Sequence, residues 1–156
     1  MERIDWLDPR AIPLRVAMDA EMGALYAPAM AGRPPEQARV ISKALAVDPV
    51  TVVATVLATV DGVPAGQAGL RTHGDDLEVK KVFVDERFRG LGISRMLMAE
   101  LETAAAELGC RRLVLQTGDL QPAAIALYES IGYTLIPSYP PYELMSNALC
   151  YEKLLG

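Results

Sequence analysis

Arg87-Phe88-Arg89-Gly90-Leu91-Gly92-Ile93 lies where a strand-like run gives way to a long helical one, and its reading decides the fold. Upstream, Leu77 to Val84 is rich in β-branched and apolar residues and predicts a strand. Downstream, Ile93, Leu97, Leu101, Ala104 and Leu108 recur at helical spacing. They predict a helix from Gly90 to Leu108 with Gly109 as its terminator. Arg111 to Gln116 again reads as a strand. A strand, a crossover helix and a strand call for parallel pairing of the two strands.

The junction itself has a chemistry. The first N–H groups of a helix lack intrahelical partners, and the helix dipole adds partial positive charge there. Glycines at Gly90 and Gly92 let an anion approach the backbone, and Arg87 and Arg89 add charge beside it. The segment therefore reads as a cradle for a diphosphate, or simply as a strand-to-helix turn. A dinucleotide fingerprint would need a third spaced glycine, and a nucleotide-binding P-loop would need Gly-Lys-Ser/Thr.

Working outward toward the N-terminus, Asp8-Pro9 predicts a helix start, with the helix running to about Tyr26. Ala27 to Pro35, with three prolines and a glycine, reads as a loop. Glu36 to Val47 reads as a second helix carrying Val40, Ile41, Ala44 and Leu45 on one side. Val50 to Val60 and Val63 to Arg71 are strands joined at Asp61-Gly62, a hairpin signal. With Leu77 to Val84 they form an antiparallel meander. Toward the C-terminus, Pro122 to Ser130 is a short helix, and Tyr133 to Ile136 and Ala148 to Leu154 are strands. Strict alternation along Leu77 to Val84 puts Glu78, Lys80, Val82 and Val84 on one face and Val79, Lys81 and Phe83 on the other.

The 156 residues suit one domain, 1–156, that buries its own core. A net charge of −5 argues against nucleic acid as the main partner. The charged start, Glu2, Arg3 and Asp5, is no signal-peptide core, and Val50 to Val60 is too short to span a bilayer. These features predict a cytoplasmic protein with no membrane partner. Cys110 and Cys150 are then free thiols, and two cysteines with one histidine argue against a structural zinc site. His73, in a turn before Gly74-Asp75-Asp76, reads as an exposed turn residue.

Arg87, Gly90 and Gly92 match in order the Arg/Gln-x-x-Gly-x-Gly/Ala signature of the GNAT superfamily of acyl-CoA-dependent N-acetyltransferases. Gln121 to Tyr133, with Ala124, Tyr128 and Gly132, resembles that family's second motif, an Asn-x-x-Ala-x-x-x-Tyr helix ending in Gly-Phe/Tyr. The resemblance runs from about Val50 to the C-terminus. It implies an α/β fold with a mixed, mostly antiparallel central sheet, a splayed parallel strand pair and flanking helices. It implies acetyl-CoA as co-substrate, no metal, and a small-molecule or peptide amine as acceptor. Family members often dimerise, so a homodimer is among the expected partners.

The resemblance also assigns roles. Backbone N–H groups from Arg89 through Gly90, Leu91, Gly92 and Ile93 to Ser94 would hold the pyrophosphate, with Arg87 beside them. Val82, Phe83 and Val84 would pair their backbone with the pantetheine arm, and Ala124 and Gln121 belong to the second motif. Both are candidates for cofactor binding; Gln121 stands where the family has Asn, a better helix cap, and so departs from the family pattern at that contact. Tyr128 matches the tyrosine that protonates the departing thiolate. Glu78 matches the strand position of the catalytic glutamate in histone-type members; other members use water as base. Glu78 reads equally as a carboxylate paired with Lys80 or Arg71. Tyr26, Tyr139, Tyr142 and Glu143 are candidates for the acceptor pocket. The expected reaction is direct acetyl transfer from acetyl-CoA to a primary amine in a ternary complex. The alternatives are a non-catalytic acyl-CoA-binding or sensing module, and transfer of a larger acyl group.

Overall fold

One seven-stranded sheet organises the chain, and the computed structural model describes all 156 residues of it. The strands are β1 (Glu2–Ile4), β2 (Val52–Val60), β3 (Val63–His73), β4 (Asp76–Val84), β5 (Arg112–Gly118), β6 (Thr134–Ile136) and β7 (Ala148–Leu154), in the order β1-β2-β3-β4-β5-β7-β6. Every neighbouring pair is antiparallel except β4 and β5. The helices are α1 (Ile12–Met30), α2 (Pro35–Leu45), α3 (Ile93–Glu107) and α4 (Pro122–Ser130). The α/β class, the mostly antiparallel sheet and the parallel pair joined by α3 are as the sequence predicts.

The main core lies between the sheet and α3. Leu97, Met98 and Leu101 of α3 are wholly buried against Val56, Ala68, Leu70, Leu113 and Leu115, with Tyr128 of α4 and Tyr133 closing one end. On the other face, Ala11, Leu14, Leu57 and Phe83 pack beneath α1, while Ala44, Tyr142, Ala148 and Cys150 pack beneath α2.

Four local readings change. β1 is a three-residue edge strand paired with Thr55–Leu57, too short to leave a periodic signal. Asp8-Pro9 forms a turn that precedes α1, with the Asp8 carboxylate accepting from the Arg10 N–H at 2.9 Å. The segment expected to be a loop from Ala27 instead continues α1 through Pro28 to Met30. The lost hydrogen bond lies on a solvated side, and Ala31 still donates to the Ala27 carbonyl at 3.0 Å. Val40 is exposed; Ile41, Ala44 and Leu45 carry the buried stripe of α2.

A β-bulge in β4 changes the reading of its faces. Gln67 opposes Phe83 and Gly69 opposes Lys80, so two residues of β4, Lys81 and Val82, stand against the single Ala68. Lys81 adopts a positive φ of 58°, and the Gln67 side-chain amide caps its carbonyl. The extra residue inverts the alternation. Leu77 and Val79, then Val82 and Val84, face α3, whereas Glu78, Lys80 and Phe83 face α1 and α2. Glu78 and Lys80 therefore do not share a face with Val82 and Val84.

Candidate active site at the splay of the sheet

β4 and β5 stay paired only from Leu77–Leu113 to Val79–Leu115 and then part. Beyond that point the edge of Lys80–Val84 facing β5 has no strand partner. A cleft of about 280 Å³ opens on the α3 side of this fork. It is lined by Val82, Val84, Phe88, Arg89, Gly90, Gly92, Ile93, Ser94, Ala123, Ala124, Leu127 and Tyr128.

The floor of the cleft is the junction before α3. Gly90 and Gly92 take φ of 79° and 76°, backbone that other residues adopt only with strain, and nothing lies within 4 Å of where a Cβ would sit. The N–H groups of Gly90, Leu91 and Gly92 donate to no backbone carbonyl. Those of Ile93, Ser94 and Arg95 precede the first bond of the helix, which Met96 makes to the Gly92 carbonyl at 3.1 Å. Successive free donors at a helix N-terminus, open above two glycines, fit a diphosphate.

The two arginines divide. Arg89 lines the cleft and is tied to the Val84 carbonyl at 3.0 Å and to Glu21 of α1 at 2.7 Å. Arg87 turns back on Asp85, at 3.0 and 2.9 Å, and holds that carboxyl down at about 2. Leu91 is exposed and Phe83 lies on the opposite face, so neither side chain lines the cleft. Phe88, Ala123 and Leu127 do line it. The signal for the last two was the apolar face of the second motif, and for Phe88 its place within the first. Gln121 precedes α4 without capping it through its side chain.

Tyr128 sits at the far wall of the cleft, packed edge-on against Tyr133 at 6.0 Å between ring centres. Burial raises its phenol well above the usual tyrosine range, so it stays a protonated donor at neutral pH.

On the opposite face of the sheet, at the same fork, lies a buried polar cluster. Glu78 is wholly buried; it accepts from Arg71 Nε at 2.7 Å and from the Tyr139 hydroxyl at 2.6 Å. Arg71 also donates to the Ala46 carbonyl at 2.9 Å and to the Tyr142 hydroxyl at 3.1 Å. Lys80 donates to that same hydroxyl at 2.8 Å, and burial lowers its ammonium from the usual 10.5 to about 8. Burial, with the Glu78 charge behind it, raises both phenols. His73 contacts the Pro140 carbonyl at 3.2 Å and stacks edge-on with Tyr139, so it is bound into the cluster's rim. Burial also raises the Cys150 thiol.

Of the acceptor candidates, Tyr139 and Tyr142 belong to this cluster. Tyr26 reaches from α1 to the end of β5, where its hydroxyl accepts from the Leu120 N–H at 3.1 Å. Its ring occupies the space a side chain at Gly118 would need. Glu143 is exposed and joins none of these contacts.

Comparison with known proteins agrees with this geometry. Residues 20–133 match the profile of the Acetyltransferase (GNAT) family. The chain is similar to an IAA acetyltransferase of Azospirillum brasilense, at 36% identity over 60% of this chain and 61% of the relative. It is similar to the N-acetylaspartate synthetase of Homo sapiens at 35% identity, over 64% of this chain and 33% of that one. It thus spans between about a quarter and three fifths of the curated relatives it matches. Among solved structures, a Klebsiella pneumoniae protein described as a candidate acyl-CoA N-acyltransferase superposes with a TM-score of 0.78. That pair is 27% identical and covers 99% and 96% of the two chains. The PaiA N-acetyltransferase of Thermoplasma acidophilum, solved with coenzyme A, shares the fold at a TM-score of 0.69, 13% identity and 98% coverage of each chain. With the forked sheet, the glycine cradle and a family match over most of its length, the chain belongs to the Acetyltransferase (GNAT) family.

Proposed function

We propose that this chain acts as one N-acetyltransferase unit, moving the acetyl group of acetyl-CoA to a primary amine without an acyl-enzyme. The observation that carries this reading is the run of free backbone donors from Gly90 to Arg95, opening on a cleft that ends at Tyr128. Acetyl-CoA, when bound, supplies the thioester that the amine attacks. Gly90, Leu91, Gly92, Ile93 and Ser94 hold the pyrophosphate through their N–H groups. The unpaired edge of Lys80–Val84 holds the pantetheine arm and directs backbone donors at the reacting carbonyl. Tyr128, protonated at neutral pH as phenols are, gives its proton to the leaving sulfur.

The acceptor enters from the α1 and α2 side of the fork, beside Tyr26 and the Tyr139–Tyr142 segment. With the Tyr139–Tyr142 segment seated, Glu78 holds Arg71 and Tyr139, and Glu78 or a water takes the amine proton. The buried Cys150, with its raised thiol, offers no competing nucleophile. Both cysteines are free, which suits the reducing cytoplasm.

Thermal unfolding with and without acetyl-CoA tests the reading. Ligand at a hundred times its dissociation constant adds about 2.7 kcal/mol, a rise of roughly 5–10 °C for a domain of this size. No rise at saturation would leave the cradle a turn and remove the foundation of the proposal. Release of free thiol only when an amine is added would separate an enzyme from an acyl-CoA-binding module.

A further inference from the structure

The buried cluster beneath the Tyr139–Tyr142 segment holds more cation than anion. Arg71 is matched by Glu78. Lys80, 6% exposed, has no carboxylate in ion-pair contact; its one hydrogen-bond acceptor is the Tyr142 hydroxyl. Arg71 Nη2 donates to the same oxygen. Two cationic groups thus converge on one neutral phenol oxygen, and one positive charge is left unmatched. A buried ammonium without a counter-charge is costly. Nζ lies off the hydroxyl end of the Tyr142 ring, 5.2 Å from its centre, so the ring face does little to offset that cost.

The position of this charge matters as much as its sign. Lys80 is the first residue of β4 past the last parallel pair, Val79 with Leu115. It therefore stands at the fork, across the sheet from the cleft that ends at Tyr128. The residues between β6 and β7 form a strap over it. Pro140, Pro141, Glu143 and Leu144 are exposed, and the strap is held inward through Tyr139 and Tyr142.

We infer that the amine acceptor carries a carboxylate, which replaces the Tyr142 hydroxyl between Arg71 and Lys80 when the strap lifts. One negative charge balances the one unmatched positive charge, whereas a phosphate dianion would overshoot it. Two planar oxygens suit one guanidinium N–H and one ammonium. This inference rests on the acyltransferase reading and names its substrate class.

The test is thiol release from acetyl-CoA with the proteinogenic amino acids and their carboxamides as matched pairs, with acetyl-CoA thermal shifts run alongside. The carboxamides hold more free amine at neutral pH, so a preference for carboxylates runs against intrinsic reactivity. The expected kcat/KM ratio favours the carboxylate by at least about ten-fold. Lys80→Met, which replaces a buried charge by an apolar chain of similar length, abolishes the ratio. Tyr142→Phe, which removes the competing hydroxyl, enlarges it through a lower KM. Equal rates within pairs, a preference that survives Lys80→Met, or no turnover of any carboxylate by protein that binds acetyl-CoA would each overturn the inference. Loss of acetyl-CoA binding by the unaltered chain would instead strike the acyltransferase reading, and the inference with it.

Discussion

The two faces of β4 at the fork are built from opposite materials. Facing α3, the cleft is apolar side chain plus free backbone N–H, open to solvent and formed within one stretch of chain from Val82 to Ser94 with α4 across it. Facing α2, the cluster is charge and phenol, sealed, and assembled from β3, β4 and the β6–β7 strap. A backbone site selects for shape and charge and tolerates any side chain that stays out of the way. A side-chain cluster selects for chemistry and changes with each residue. The first arrangement suits a constant co-substrate and the second a particular acceptor.

The largest expected effect breaks the backbone half. Gly90→Glu puts a side chain on left-handed backbone and a carboxylate where free N–H groups point. Its acetyl-CoA affinity should fall at least about 100-fold, read as loss of the thermal shift, while the fold persists because the site is at the surface. Full retention of the shift would mean the donors at Gly90–Arg95 hold nothing. Next, Tyr128→Phe keeps the packing and removes the proton. Turnover should fall about 10²-fold with acetyl-CoA affinity unchanged, and an unaltered turnover would dismiss Tyr128 as the acid.

The same contrast explains what the sequence revealed. The cradle was legible because its residues are contiguous and lie at a strand-to-helix boundary, where glycine spacing carries meaning. The buried cluster proposed for the acceptor was not, because its contacts join residues as distant as Arg71 and Tyr142. Tyr139 and Tyr142 stood out as candidates, but only folding sets them on Glu78 and Lys80. The bulge was hidden for a different reason. Alternation of apolar residues assumes a regular pleat, and Lys81 at positive φ shifts the phase without leaving a mark in composition. Charged Glu78 and Lys80, alternating with the apolar Leu77 and Val79, were the available sign that something unusual lay on that face.

A smaller effect tests whether α1 closes the proposed acceptor side. Gly118 ends β5 directly under the Tyr26 ring, and a methyl group there has no room. Gly118→Ala should displace Tyr26, cost about 1–3 kcal/mol of stability and raise the acceptor KM more than the acetyl-CoA KM. Equal changes in both would show that Tyr26 supports the whole fork and not one face of it.

The smallest effect concerns stability alone and separates function from folding at Lys80. Its neighbours are Arg71 of β3, Glu78 and Lys81 of β4, Tyr139 and Tyr142 of the strap, and Cys150 of β7. Burial is the first cause of its fall from 10.5 to about 8, with Glu78 opposing and Arg71 assisting. Below pH 8 both folded and unfolded chains keep the proton, so the cost of burying the charge is present in full. Between pH 8 and 10.5 the folded chain gives it up while the unfolded chain holds it, and stability rises with pH. Above 10.5 neither state carries it and the cost is gone. Lys80→Met should therefore raise stability at pH 7 by about 1–3 kcal/mol, a Tm gain of roughly 2–10 °C, and the gain should shrink toward zero by pH 10. A gain that persists at pH 10 would trace to packing. A loss at pH 7 would mean that the Lys80–Tyr142 contact stabilises the strap more than the buried charge destabilises it. A gain at pH 7 that fades with pH identifies Lys80 as a residue the fold retains against its own stability, which is the condition a binding group on this face of β4 would meet.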